Sequence, residues 1–227
     1  MGWIPVEVAS VKSRSKVIGK GKYMIKFEHP DFETKDNERI QILLINSHDG
    51  STNFQLSIGV FRLVCSNGLV VKDNDMGEVK VRHLGYSKED IQEAVHTLVE
   101  GIPTVFLKME QMKETKLTEE QMGELALKSA CIRFNKDFEK ESEELSKILD
   151  IEDLLGVERR ADQGNGLYEV FNRVQEKLIN GGFEYVNVRT GVPRKARKIK
   201  NFQQNNRVNQ ELWEVAQSYI QEAEMVS

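Results

Sequence analysis

Phe54-Gln55-Leu56-Ser57-Ile58-Gly59-Val60 alternates large apolar residues with small or polar ones at every step. A period of two puts Phe54, Leu56, Ile58 and Val60 on one face of a strand. Ile40, Ile42 and Leu44 repeat the period upstream, as do Tyr23, Ile25 and Phe27. Beyond Val60 the apolar set becomes Phe61, Leu63 and Cys65, one residue out of step. That shift predicts a bulge near Gly59 or a strand buried on both faces. Turn-forming residues fill Asn46 to Asn53, and Asn67-Gly68 before Val70-Val71 has the form that hairpins favour. The opening part of the chain therefore reads as an antiparallel sheet of four or five strands.

From Ser87 the period becomes helical. Ser87 and Asp90 have capping-box spacing, Ile91, Val95 and Leu98 form a stripe, and Gly101 with Pro103 is expected to end that helix. Thr118 and Gln121 make a second capping box ahead of Met122, Leu125, Ala126 and Ser129. The acid-rich stretch from Glu139 to Asp153 reads as a solvated helix face or a linker. Leu167, Val170, Phe171, Val174 and Leu178 form the cleanest amphipathic pattern, closed by Gly181-Gly182. Arg173 and Glu176 fall on its polar side, one turn apart. Phe183, Tyr185, Val186 and Val188 suggest a short edge strand. A last helix carries Leu212, Val215, Ala216, Tyr219 and Ala223, with Trp213 in the core or at its rim. Sheet first and helices later define an α+β fold, read as a single domain over 1–227, sheet-rich in 1–85 and helix-rich in 86–227, with the helices packing the sheet.

At 227 residues and 39% hydrophobic the chain can build a sizeable core. It holds no apolar run of the roughly 18 residues a membrane span needs. The start, Met1-Gly2-Trp3-Ile4-Pro5-Val6-Glu7, lacks the basic-then-apolar order of a secretory signal. Cys65 and Cys131 lie far apart among apolar neighbours, which points to reduced, buried thiols and a cytoplasmic location.

One stretch points outward. The chain is net acidic, at -4, yet between Val186 and Arg207 it carries seven basic residues and no acidic one: Arg189, Arg194, Lys195, Arg197, Lys198, Lys200 and Arg207. Such a run suits a phosphate backbone. If 194–204 were helical, Arg194 would lie beside Lys198, and Lys200 one turn beyond Ala196. Phe202 would offer a stacking face to an unpaired base. The N-terminal arm adds Lys12, Arg14, Lys16, Lys20, Lys22 and Lys26, of which Lys20 and Lys22 join the candidate site. The plainer alternatives are lysines guarding a sheet edge and a solvated basic connection paired with the acidic 139–153 stretch.

Catalytic chemistry finds little support. His48 beside Asp49 has poor metal-ligand spacing, and His29, His48, His83 and His96 show no ligand pattern. Cys65 ends an apolar strand, a setting unlike that of a reactive thiol. Gly164-Asn165-Gly166 lacks the Lys-Ser or Lys-Thr of a phosphate loop and reads as a turn. No catalytic residue, metal ligand or cofactor is assigned.

Three segments carry a resemblance. They are Asn46-Ser47-His48-Asp49-Gly50-Ser51, then Phe61-Arg62-Leu63-Val64-Cys65-Ser66-Asn67-Gly68-Leu69, then Phe171-Asn172-Arg173-Val174-Gln175-Glu176 with Leu178-Ile179 and Gly181-Gly182. Arg194-Lys195-Ala196-Arg197 and the stretch from Asn209 to Trp213 follow the third. In order and spacing they resemble the phage/plasmid-like protein family classified as domain of unknown function 932, over roughly residues 40 to 220. The resemblance implies a protein of phages, prophages or plasmids, working in a bacterial host cytoplasm, with no residue-by-residue activity to carry over. The expectation is a non-enzymatic accessory protein of replication or recombination that binds nucleic acid, single-stranded DNA above all. Homo-oligomerisation would multiply a modest groove. The alternative is a counter-defence factor that binds a host protein.

Overall fold

The structure is a computed structural model and describes residues 2–10, 21–33, 38–47, 54–62, 69–71, 78–81 and 87–226. The side chains at 10, 60–62, 69–71, 78–81, 202 and 226 fall outside this description. The architecture is α+β, and two compact units divide the chain, Met1–Val105 and Phe106–Ser227.

The first unit holds β1 (Ile4–Ser10), β2 (Lys22–Glu33), β3 (Glu38–Ser47), β4 (Phe54–Arg62), β5 (Leu69–Val71) and β6 (Glu78–Val81). They form one antiparallel sheet in the order β1-β2-β3-β4, with β5 and β6 pairing with different stretches of β4. Strands β1 (Ile4, Val6, Val8) and β6 (Val79, Val81) also alternate in sequence, but the pairing of the first shifts register between Pro5 and Glu7 and the second is only four residues long.

The one-residue shift on β4 is not a bulge. Pairing with β3 runs without a break from Glu38↔Arg62 to Ile45↔Gln55. Upstream of the shift, up to Gly59, the sheet is buried on both faces, while the side chains of Phe61, Leu63 and Cys65 lie outside the described residues. Ile42, Leu56 and Ile58 are buried on one side, and Leu43, Ile45 and Ser57 on the other. On β3, buried Gln41 donates from Nε2 to Glu28 Oε1 at 2.7 Å, which satisfies its amide at modest cost.

Lys22 and Lys26 do not guard an edge, and Lys12, Arg14, Lys16 and Lys20 lie outside the described residues. Strand β2, which carries Lys22 and Lys26, lies between β1 and β3, and Lys26 pairs at 2.6 Å with Glu7, its cross-strand partner. Edge strand β1 instead exposes Ile4, Val6 and Val8.

Helix α1 (Lys88–Glu114) begins as its capping box requires: Ser87 N–H donates to Asp90 at 2.6 Å, and Asp90 N–H donates to the Ser87 hydroxyl at 3.1 Å. It does not end at Pro103, which lies inside it. Proline removes one helical hydrogen bond, but the buried row Leu98, Ile102, Val105, Met109 and Met112 continues past it at helical spacing. Burial of that row outweighs the local defect.

The second unit is built around α5 (Leu167–Asn180), preceded by α2 (Glu119–Phe134), α3 (Phe138–Ser146) and α4 (Ile151–Leu155) and followed by the hairpin β7 (Glu184–Val186) and β8 (Pro193–Lys195), then α6 (Phe202–Val226). Helix α2 has the full Thr118–Gln121 capping box, and Asn135 closes it in the left-handed conformation at φ 55°. Thr118→Ala is expected to lower stability by about 1 kcal/mol, seen as a lower denaturant midpoint at unchanged slope.

Helix α5 is buried nearly all round, and several long polar side chains on it reach neighbouring segments. Arg173 donates to the carbonyls of Gly164 at 2.6 Å and Leu155 at 3.3 Å, pinning the preceding loop. It therefore does not pair with Glu176, whose partner is Arg159. Gln175 donates to Asn209 Oδ1 at 2.7 Å, and Lys177 meets Asp153 at 3.2 Å and Glu158 at 2.8 Å. Trp213 is fully buried edge-on to Phe171, so it belongs to the core. Cys131 is a free thiol, buried, and burial is the main cause raising its pKa. Cys65, His48, Asp49 and His83 lie outside the described residues. Among the described residues no helix is long and apolar enough to cross a membrane.

Candidate nucleic-acid interface

From Pro193 to Asn201 the basic stretch is extended, not helical, and Arg189 lies in the turn that precedes it. Arg194 and Lys195 lie on β8, paired with Tyr185 and Glu184 of β7. The expected turn-by-turn grouping of cations therefore gives way to a line along an extended backbone, and helix α6 starts only at Phe202, capped by Asn201 Oδ1. Strand propensity in Phe183 to Val186 supplies a pairing partner, and Pro193 opens the return strand without an N–H to lose.

The line is fixed at its backbone. Gly182 N–H donates to Ala196 O at 2.9 Å, Ala196 N–H to Phe183 O at 2.9 Å, and Ile199 N–H to Ile179 O at 2.8 Å. Ile199 is buried, while its neighbours Lys198 and Lys200 are exposed, as alternation in an extended chain requires. Arg133, from the last turn of α2, adds a further tie by donating from Nη2 to Arg197 O at 2.9 Å. Gly181 makes the crossing possible. Its φ is 76°, and a Cβ there would lie 2.4 Å from Ala196 O.

The cations differ in their engagement. Arg189 sits at the hairpin tip, where Asn187 Oδ1 accepts its N–H at 3.0 Å. Arg189, Arg194, Arg197, Lys198 and Lys200 are exposed, and among the described residues none pairs with a carboxylate. Lys195 meets Glu184 at 3.4 Å, both well exposed, a contact of little energetic weight. Arg207 is half-buried on α6, held by both oxygens of Glu211 at 3.0 and 3.1 Å and by Ile132 O at 3.1 Å. The side chain of Phe202 and all of Lys20 lie outside the described residues. Lys22 opens β2 in the first unit.

The acidic stretch does not neutralise this line. Three of its carboxylates engage other lysines, Glu141 with Lys136, Glu143 with Lys147 and Asp153 with Lys177, and Asp150 caps α4.

Residues with no local sequence signal complete the surface. A recess of about 650 Å³ is lined by Arg133, Phe134, Tyr185, Arg194, Lys195 and Arg197, with no carboxylate in its wall. The Phe134 and Tyr185 rings lie 5.3 Å apart, and Phe183 meets Phe134 edge-on at 6.1 Å. Burial chiefly lowers the Arg133 pKa, with Arg207 acting in the same sense and Tyr185 opposing, and its Nε has no described partner. By contrast, a recess beside α3 combines Lys128, Lys136 and Arg207 with Asp137, Glu139 and Glu211, so its charges balance.

The chain belongs to the domain of unknown function family DUF932, whose model matches residues 9–213. It is similar to two Escherichia coli (strain K12) proteins, UPF0380 protein YafZ and UPF0380 protein YfjQ, each 29% identical over 180 residues and covering 79% of this chain. The match spans 62% of the length of each of these relatives. No solved structure matches.

Proposed function

We propose that this protein binds nucleic acid, single-stranded DNA above all, through the segment from Arg189 to Lys200, as an accessory factor of replication or recombination in a phage or plasmid. The observation that carries this reading is the row of Arg189, Arg194, Arg197, Lys198 and Lys200, exposed and without a described carboxylate partner, in a chain of net charge -4. Phosphate binding needs several cations along one path, each able to displace a counterion. Arg207 and Lys195 contribute less, since both already face carboxylates.

Salt dependence tests it. Five neutralised phosphates give a log–log slope of about -3.5 on a single strand and about -4.5 on duplex. Fluorescence anisotropy with a labelled oligonucleotide is therefore expected to show roughly 100-fold weaker binding at 200 mM than at 50 mM salt. Arg194→Glu with Lys198→Glu should flatten that slope and abolish binding at the higher salt. Absent binding at low salt, with a host protein co-purifying instead, would favour a counter-defence role.

A further inference from the structure

We infer that the recess between the end of α2 and the β7–β8 hairpin holds one unpaired base of a bound strand, and so makes the surface selective for single-stranded over duplex nucleic acid. This rests on the phosphate-binding reading above and adds to it the chemistry of the second half of a nucleotide. Cations alone would serve any polyanion. Here Arg133, Arg194 and Arg197 share a wall with Tyr185 and Phe134, and no carboxylate interrupts it. At about 650 Å³ the space falls within the range of small-ligand sites.

Each part of the wall is held in place. Phe183 backs Phe134, and Phe134 lies against Tyr185, which is half-buried and lines the recess. Arg133 is tied to Arg197 O through Nη2, which fixes its guanidinium against the basic strand. The two rings are tilted by 59°, so they form one stacking face with a buttress, not a slot that grips both sides of a base. Such a face accepts any base. A duplex hides its base faces in the stack, so only an unpaired strand can fill the recess while its phosphates follow the cations.

The test compares a labelled single strand, a strand of the same length built from abasic units, and the corresponding duplex, all at low salt. The abasic strand keeps every phosphate and removes every base. It is expected to bind roughly 5- to 150-fold more weakly than the base-bearing strand. Tyr185→Ala should shrink that gap, and Tyr185→Phe should preserve it. Equal affinity for base-bearing and abasic strands would overturn the inference while leaving phosphate binding intact. Failure of every probe to bind would overturn both. The abasic comparison uses the unaltered protein, so it stands even if Tyr185→Ala disturbs the hairpin.

Discussion

Gly181→Ala is expected to destabilise the second unit by about 3 kcal/mol, through two effects that act together. At φ 76° and ψ -159°, Gly181 occupies a backbone region open essentially to glycine alone, and forcing alanine into it costs about 1–3 kcal/mol. The added methyl would also lie 2.4 Å from Ala196 O and 2.7 Å from the Arg197 carbonyl carbon. Both are main-chain atoms, so no side-chain rotation relieves the clash. The basic strand must move away, which breaks the bond from Gly182 N–H to Ala196 O. A denaturant titration should show the lower midpoint, and affinity for a single strand should fall with it. Gly182→Ala is a useful contrast. Its φ of 101° is equally foreign to alanine, but no heavy atom lies within 4 Å of the new Cβ, so the effect should be smaller. Equal losses at the two glycines would show that the close approach adds nothing.

Lys177→Met is expected to cost about 2 kcal/mol, below the range for a fully buried ion pair because Asp153 and Glu158 stay partly exposed. The Lys177 side chain is 10% exposed and sits between Asp153 and Glu158. Methionine fills similar volume but leaves Asp153, 29% exposed, without its cation. Asp153 also accepts the N–H of Glu184 at 2.8 Å, so the lysine indirectly supports β7. Adding Asp153→Asn should recover part of the loss, because the amide keeps an acceptor and drops the charge; a double-mutant cycle measures the coupling. Burial pulls the Lys177 pKa down, but the hydrogen bonds that its ammonium donates to Glu158 and Asp153 outweigh it and the pKa stands raised. A raised lysine pKa means stabilisation fully present below the ordinary lysine range and lost as pH climbs through the folded-state value. The unaltered protein should therefore lose stability in strong alkali by a component that Lys177→Met lacks.

Much of the fold is legible locally because short-range rules are obeyed. Thr118 and Gln121 both make their cap bonds, Ser87 and Asp90 do likewise, and the apolar stripe of α5 lies in the core. Expectations failed where distant packing overrode a local signal. Pro103 reads as a stop, yet the buried row from Leu98 to Met112 carries the helix through it. Arg173 and Glu176 read as neighbours on the polar side of α5, yet each reaches a loop that no local pattern links to them. The basic stretch is plain in the composition, but its shape is not. Helical spacing of Arg194 and Lys198 is the natural guess, and what defeats it is pairing with β7 and with the end of α5. Arg133 and Phe134 join the recess only through tertiary contact, so nothing around them in sequence marks them out. Tyr185 reads only as a strand former, which it also is.

Anchoring of the main chain from Ala196 to Ile199 has a thermodynamic consequence. Confining a residue's backbone costs about 1–2 kcal/mol in conformational entropy. For this segment the loss is incurred when the protein folds, since its amides and carbonyls are already bonded to Ile179, Gly182, Phe183 and Arg133. Association with a polyanion would then order little besides the exposed tips of Arg194, Arg197, Lys198 and Lys200. Calorimetry should show a small heat-capacity change and circular dichroism no new helix, unlike a disordered basic tail that folds as it binds.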